Sequence, residues 1–177
     1  MEHLELARID ISDVSNVPFK NCMIKARVID VIDGDTIKVV ILLGNHPLKL
    51  NVRLSGIDTP ELHPKPIVHE EEPRVASMVK SYVGDLLLKD QIVTIKLLSL
   101  DKYGGRYVGN IYIKDDTITM SDHLVSIGCA KVYNGKKKEC WTKQDLIQIQ
   151  SRLEKTTITT QSHTSTITKK VTKTSKK

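Results

Sequence analysis

Three polar clusters interrupt the apolar runs of this 177-residue sequence, each at a tight turn or at the end of a predicted strand. They are Asp33-Gly34-Asp35-Thr36, the stretch from Arg53 to Glu61, and Asp101-Lys102-Tyr103-Gly104-Gly105-Arg106. Functional groups concentrate in loops that a rigid scaffold holds in place. The three clusters are therefore the first candidates for a catalytic or binding site.

The carboxylates of the first two clusters suit a hard divalent cation. Asp35, Asp58 and Glu61 offer the oxygen ligands that Ca²⁺ and Mg²⁺ prefer. Pro60 restricts the residue before it to extended conformations, so the main-chain carbonyl of Thr59 is available to point at the same ion. The pattern predicts a cation site built from two carboxylates or more and one carbonyl.

Arg53 and Arg106 supply the second part of the chemistry. A guanidinium group presents forked donors that match two oxygens of a phosphate. Arg53 lies on the predicted strand that ends near Asp58. A hard cation and two arginines stabilise the negative charge of a phosphodiester-cleaving transition state, while a spare carboxylate activates water. Together the clusters predict phosphodiester hydrolysis.

Each cluster taken alone also has an ordinary structural interpretation. Asp-Gly between two strands is a common hairpin signal, so turn geometry by itself would account for Asp33 and Gly34. A single arginine on a strand is usually a solvated surface charge. A non-catalytic OB-like module that binds nucleic acid or protein therefore remains the alternative. The low aromatic content, 4%, argues against a binder that stacks bases.

Five runs rich in Val, Ile and Leu predict the strands that position these clusters. They lie at about 24–32, 36–43, 48–57, 91–99 and 106–113. Short loops join the first three, which favours an antiparallel meander. We predict a mainly β fold with helices, a five-stranded OB-fold barrel packed against about three α-helices, although the pattern alone allows a β-sandwich equally.

Three helices are predicted to pack on the strands. The first covers about 73–89, with a proline in its first turn and an apolar stripe at helical spacing. A short helix follows Ser121 and ends at Gly128. The third begins at Thr142, which together with Asp145 resembles a capping box.

Composition excludes several classes of protein. No run approaches the roughly 18 consecutive apolar residues of a membrane helix. The first twenty residues lack the basic start and apolar stretch of a signal peptide. Three cysteines at unrelated spacings argue against a disulfide framework. We therefore expect an intracellular monomer that does not enter a membrane.

The formal net charge of +6 belongs mostly to one end of the chain. Of 27 Lys and Arg, five lie in 156–177, where there is no Asp or Glu, which leaves 22 basic against 21 acidic residues, a charge of +1, for 1–155. The Thr-, Ser- and Lys-rich segment 156–177 has too little apolar surface to fold and is predicted to be a disordered basic tail. With a loose N-terminal arm over 1–22, one folded domain is predicted over 23–155.

Longer stretches around the clusters resemble one known family. VIDGDTIKV (31–39), VRLSGIDTPELHPK (52–65) and DKYGGRYVGNIYI (101–113) follow one another as in the staphylococcal (micrococcal) nuclease family. LVSIGCAKVY at 124–133 is similar to the later helix and strand of that family. Three motifs in register over about eighty residues are far more specific than any one of them, and the resemblance covers about 24–141. It implies an OB-fold nuclease domain.

The resemblance also implies an activity and a metal site. The family cuts DNA and RNA in a Ca²⁺-dependent reaction that leaves 3′-phosphate ends, so the expected partner is single-stranded or flexible nucleic acid. Carried over by position, Asp35 and Asp58 would be the carboxylate ligands of Ca²⁺. The main-chain carbonyl of Thr59 would be a third protein ligand, and Asp33 would lie near the metal.

The same comparison by position assigns catalytic and substrate-binding roles. Glu61 would orient or deprotonate the attacking water. Arg53 and Arg106 would hold the scissile phosphate. Lys102 and Tyr103 would contact the terminal phosphate.

Two positions depart from the pattern of the family. An extra glycine precedes Arg106, which predicts a changed loop at that point. Tyr133 is implied to contact the substrate, but Asn-Gly-Lys-Lys-Lys follows it in place of a second tyrosine-bearing stretch. The three lysines at 136–138 are candidate phosphate contacts instead.

Overall fold

The computed structural model describes residues 8–10, 12, 14–102, 105–113 and 117–155. The strands in this part of the chain are β1 (Met23–Asp33), β2 (Thr36–Leu43), β3 (His46–Leu54), β4 (Ile57–Asp58), β5 (Ile92–Leu100), β6 (Tyr107–Ile113), β7 (Ile118–Thr119) and β8 (Lys131–Val132). The helices are α1 (Glu72–Leu86), α2 (Met120–Ser126) and α3, which covers 143–155. None of these helices is long and apolar enough to cross a membrane.

Five of the strands close into a barrel. The sheet order is β3-β2-β1-β5-β6-β7, with antiparallel neighbours, and β3 also pairs with β6 in parallel. The closing contact runs from Val52 opposite Tyr107 to Leu54 opposite Gly109. This closure confirms the predicted OB-fold barrel with three helices and excludes the β-sandwich that the pattern allowed.

Alternating apolar residues on the strands fill the inside of the barrel. The fully buried members include Val28, Ile37, Val39, Val52, Leu54, Ile95, Leu97 and Ile111. Because side chains alternate between the two faces of a strand, the residues between them face outward. Arg53 lies between Val52 and Leu54 and is therefore presented on the outer face at the end of β3.

Helix α1 packs against β1 of the barrel. Its Val75, Val79 and Val83 recur every fourth residue and are buried, as the apolar stripe predicted. Val79 lies directly under the turn between β1 and β2, where its Cγ1 limits the space around Gly34. The helix therefore supports the turn that carries Asp33 and Asp35.

The predicted capping box is present at the start of α3. The Asp145 amide donates to Thr142 Oγ1 at 3.2 Å, and the Thr142 amide donates to Asp145 Oδ2 at 3.0 Å. Lys131 Nζ donates to the same carboxylate oxygen at 2.8 Å. Leu146 and Ile149 are buried behind the cap. The hydrogen bond from Lys131 to the carboxylate of the box thus joins the start of α3 to strand β8.

Asp145→Ala is expected to lower the free energy of unfolding by about 1 kcal/mol at pH 7, the usual value for a lost cap. The hydrogen bond from Lys131, with the amide of Thr142, lowers the pKa of Asp145 from 3.8 to about 2. Because the folded-state pKa is the lower one, this stabilisation is present above about pH 4 and is lost as the pH falls toward 2. Urea unfolding across this range measures the difference, and a difference that stays constant down to pH 2 contradicts the assignment.

Two segments differ from the pattern-based expectation. The predicted run 48–57 is two strands, because Gly56 adopts φ +76° and turns the chain before β4. In the predicted N-terminal arm, Val17 is buried in the core and the Asn21 amide donates to the Leu97 carbonyl at 2.8 Å. The arm is therefore attached to the barrel at these residues. The predicted tail, 156–177, lies outside the described residues.

Candidate active site

The guanidinium group of Arg53 joins the two predicted metal carboxylates. Its Nη1 contacts Asp35 Oδ2, and its Nη2 donates to Asp58 Oδ1 at 3.3 Å. Only 13% of the Arg53 side chain and 6% of each aspartate side chain are exposed. The first two sequence clusters therefore converge on one buried ion-pair network.

Strand register and a glycine bring these residues together. Thr36 pairs with Arg53 across β2 and β3, and the Leu54 amide donates to the Asp35 carbonyl at 2.8 Å. A Cβ atom on Gly34 would lie 2.9 Å from Thr59 Oγ1. Gly34 is therefore needed for the close approach of the two loops, in addition to its role in the turn.

Burial is the largest influence on the pKa values of Asp33 and Asp35, the two aspartates of the first cluster. It raises the pKa of Asp35, and the opposing effects of Arg53 and of the Thr36 hydroxyl, which donates to the carboxylate at 2.8 Å, do not cancel it. Burial also raises the pKa of Asp33 to about 6, against the hydrogen bond from the Gly34 amide. The charges of Asp35 and Glu61 add to this rise, which indicates that Asp33 lies near them. Partly desolvated carboxylates that repel one another favour the uptake of a cation.

The donor set fits a hard cation only with help from the main chain and water. Within the described ranges, no group of three or more His, Cys, Asp or Glu side chains is placed to hold a metal ion. Asp58 and Thr59 are buried, 4% and 2% exposed, and follow one another at the end of β4. Ca²⁺ accepts such mixed sets, in which carboxylates, carbonyls and water complete six to eight oxygen ligands.

Glu61 is held from two sides. Its amide donates to Oε1 of the buried Glu72 at 3.1 Å, which fixes the backbone. Its carboxylate contacts Lys138 Nζ, which also lies 2.6 Å from Asp58 Oδ1. Burial alone would lower the pKa of Lys138, but the two carboxylates outweigh it and the pKa is raised. The sequence did not reveal this lysine as a partner of the carboxylates.

Arg106 lies beside the end of β3 but pairs with a residue to which the sequence assigned no role. Its Nε and Nη2 donate to Asp101 Oδ2 at 2.9 and 2.6 Å. Val108, two residues later, is opposite Arg53 in the parallel pair of β3 and β6. Both arginines thus belong to the same end of the barrel, and Asp101 fixes the direction of the second guanidinium.

Two open cavities flank the ion pair of Arg53 and Asp58. One, about 450 Å³, is lined by Arg53, Lys102 and Tyr133 among others. The other, about 430 Å³, is lined by Asp58, Glu61 and Lys138 among others. Five of the ten predicted site residues thus line one of these two cavities. Neither cavity is lined by Asp33, Asp35, Thr59 or Arg106, and Tyr103 lies outside the described residues.

A closed five-stranded barrel that gathers carboxylates and arginines at one end defines a nuclease-like OB-fold protein. Residues 51–158 match the family described as staphylococcal nuclease homologue, and the chain belongs to this family. The resemblance seen in the sequence motifs is thereby confirmed.

One similar protein is the uncharacterized protein MJ1439 of Methanocaldococcus jannaschii. It is 30% identical over 125 residues, a match that covers 60% of this chain and 58% of the archaeal protein. The chain thus spans less than two thirds of the length of this relative.

Proposed function

We propose that this protein is a Ca²⁺-dependent endonuclease that hydrolyses DNA or RNA and leaves 3′-phosphate ends. The observation that carries the proposal is the contact of Arg53 with both Asp35 and Asp58. Two sequence-distant acids meet at a guanidinium group that is itself suited to a phosphate. Membership of the nuclease family supports the same conclusion.

The proposed metal ligands are the carboxylates of Asp35 and Asp58 and the main-chain carbonyl of Thr59. Bound there, Ca²⁺ would supply positive charge beside the scissile phosphate. Asp33 would add negative charge close to the ion, since it is more than half ionised at pH 7 with a pKa of about 6.

The proposed reaction is attack of water on phosphorus. Glu61 accepts a proton from the water, the bond between phosphorus and the 5′ oxygen breaks, and the 5′ oxygen leaves as a hydroxyl after taking a proton from solvent. The phosphate remains on the 3′ oxygen. Arg53 and Arg106 donate to the non-bridging oxygens as negative charge develops on them. Lys102 contributes a positive charge at the edge of the first cavity.

The two cavities support a flexible, single-stranded substrate. Each falls within the volume range of small-molecule sites, about 300–1,000 Å³, so each has room for one nucleoside. A phosphate above the pair of Arg53 and Asp58 would join two nucleosides that point into different cavities. Stacked bases in a duplex cannot separate in this way without unpairing, whereas single strands can.

Digestion of a labelled single-stranded oligonucleotide in Ca²⁺ or in EGTA tests the proposal. We expect cleavage only with Ca²⁺, with products that carry a 5′-hydroxyl and a blocked 3′ end. Because a polymerase extends a 3′-hydroxyl but not a 3′-phosphate, primer extension before and after phosphatase treatment identifies the end. Retention on the oligonucleotide without cleavage in Ca²⁺, Mg²⁺ or Mn²⁺ would instead favour the non-catalytic binding module.

Arg106→Lys is expected to lower the turnover number by roughly 10²-fold, the usual effect of losing one transition-state donor. Two nitrogens of the native side chain bind Asp101, which leaves the rest of the fork to a phosphate. A lysine has a single ammonium group, which cannot bind both Asp101 and a phosphate with the geometry of the guanidinium fork. Steady-state kinetics on single-stranded DNA measure the effect, with the dissociation constant of Ca²⁺ as the control that should not change. Wild-type turnover would show that Arg106 does not touch the reacting phosphate.

A further inference from the structure

The ammonium group of Lys138 contacts one oxygen of each of two carboxylates that the proposed reaction requires, Asp58 and Glu61. Its Nζ is 2.6 Å from Asp58 Oδ1 and also contacts Glu61 Oε1. Arg53 lies on the same Oδ1 at 3.3 Å. The buried carboxylate of Asp58 is therefore already paired with two positively charged side chains, Arg53 and Lys138.

The lysine reaches this position from a different part of the fold. It belongs to the segment between β8 and α3, 77 residues after Glu61. Its side chain is 41% exposed, whereas that of Asp58 is 6% exposed. The ammonium group thus covers the buried carboxylate from the solvent side, in the wall of the second cavity.

We propose that Lys138 is an internal competitor of the divalent cation, and that its ammonium group must leave Asp58 before the cation binds. This inference rests on the proposed metal site. A divalent ion and an ammonium group cannot share one carboxylate oxygen at contact distance without strong repulsion. The affinity measured for the ion is therefore reduced by the fraction of molecules in which Lys138 occupies the oxygen.

The same displacement frees the proposed general base. Lys138 also contacts Glu61 Oε1 in the metal-free protein, so the ammonium group occupies an oxygen that the proposed reaction needs for the attacking water. Two carboxylates, those of Asp58 and Glu61, hold the Lys138 ammonium group in the metal-free protein. When the cation displaces the ammonium from Asp58, one of these two contacts is lost. Metal binding and release of Glu61 are then one event, so the lysine determines the metal concentration at which the site becomes active.

Calorimetric titration of CaCl₂ into the full chain tests the inference without measuring activity. Lys138→Met and Lys138→Gln should each bind Ca²⁺ about tenfold more tightly than the wild type, as expected if the ammonium occupies the oxygen in about nine molecules of ten. Lys143→Met is the control, because the Lys143 side chain is 68% exposed and its ion pair with Glu71 is 3.9 Å long, and its Ca²⁺ affinity should stay within about twofold of the wild type.

Melting temperatures supply a second readout on the same variants. Without Ca²⁺, Lys138→Met should melt below the wild type, because Asp58 and Glu61 lose a cation. With saturating Ca²⁺, its gain in melting temperature should exceed that of the wild type, because stabilisation by a ligand increases with affinity. These scans also report whether each variant is folded.

The outcomes separate the inference from the proposed function. Unchanged or weaker Ca²⁺ binding by both Lys138 variants, with wild-type binding abolished by Asp58→Asn, overturns the inference alone. If neither the wild type nor the Lys138 variants bind Ca²⁺, the proposed metal site fails and the inference with it. Tighter Ca²⁺ binding by both Lys138 variants and not by Lys143→Met supports the inference.

Discussion

Glu61→Gln should lower the turnover number on single-stranded DNA by roughly 10²–10⁴-fold, the contribution of a positioned general base. Glutamine keeps the shape of the side chain but cannot accept a proton from water. The backbone position should survive, because the Glu61 amide is held by Glu72 and not by the substituted group. Ca²⁺ binding should not weaken, since Glu61 is not among the proposed metal ligands.

Single-turnover kinetics measure this effect apart from product release. Glu71→Gln is a matched control on the same side of the barrel, because the Glu71 side chain is 46% exposed and contacts only Lys143 at 3.9 Å among the ion pairs of the described residues. It should cleave at the wild-type rate. Undiminished cleavage by Glu61→Gln would show that another group activates the water.

Arg53→Met is expected to lower the free energy of unfolding of the metal-free protein by about 3 kcal/mol, the lower end for removing one partner of a buried ion pair. Methionine keeps much of the side-chain volume but leaves Asp35 and Asp58 without the guanidinium group that now contacts both. Turnover should fall as well, because the same group is proposed to hold the scissile phosphate.

Urea unfolding with and without Ca²⁺ measures the first part of this prediction. Saturating Ca²⁺ should restore part of the lost stability, because the cation replaces the missing positive charge. Arg27→Met is the control: its ion pair with Asp90 is exposed and 3.9 Å long, so the change should stay within about 0.5 kcal/mol. A metal-free Arg53→Met protein as stable as the wild type would contradict the role given to the buried network.

Local signals in the sequence predicted the strands and helices but allowed a β-sandwich as well as a barrel, and the resemblance to the nuclease family favoured the OB-fold barrel. These signals are the alternation of apolar residues, the Asp-Gly and Gly-Asn turns and the stripe of one amphipathic helix. Each of them involves residues that are close together in the sequence. The acids of the site were found for the same reason, since each stands at the end of a strand or in a turn. That Asp35 and Asp58 meet required the pairing of Thr36 with Arg53, which no local pattern contains.

The contacts that tune the site could not be predicted in this way. Lys138 reaches Glu61 across 77 residues, and Glu72 reaches the Glu61 amide from the start of a helix. The partner of Arg106, Asp101, is only five residues away and was visible as an acid in the same cluster. The sequence shows which residues are basic, but it does not show which of them binds a carboxylate and which is left to bind a phosphate.

A crystal structure of the full chain grown with Ca²⁺, with the ion located by its anomalous scattering, would show whether Asp35 and Asp58 hold the cation. We expect one ion at about 2.3–2.6 Å from carboxylate oxygens of Asp35 and Asp58 and from the carbonyl of Thr59, with Lys138 moved away from Asp58. An ion bound at another place, or none at a saturating Ca²⁺ concentration, would contradict this expectation.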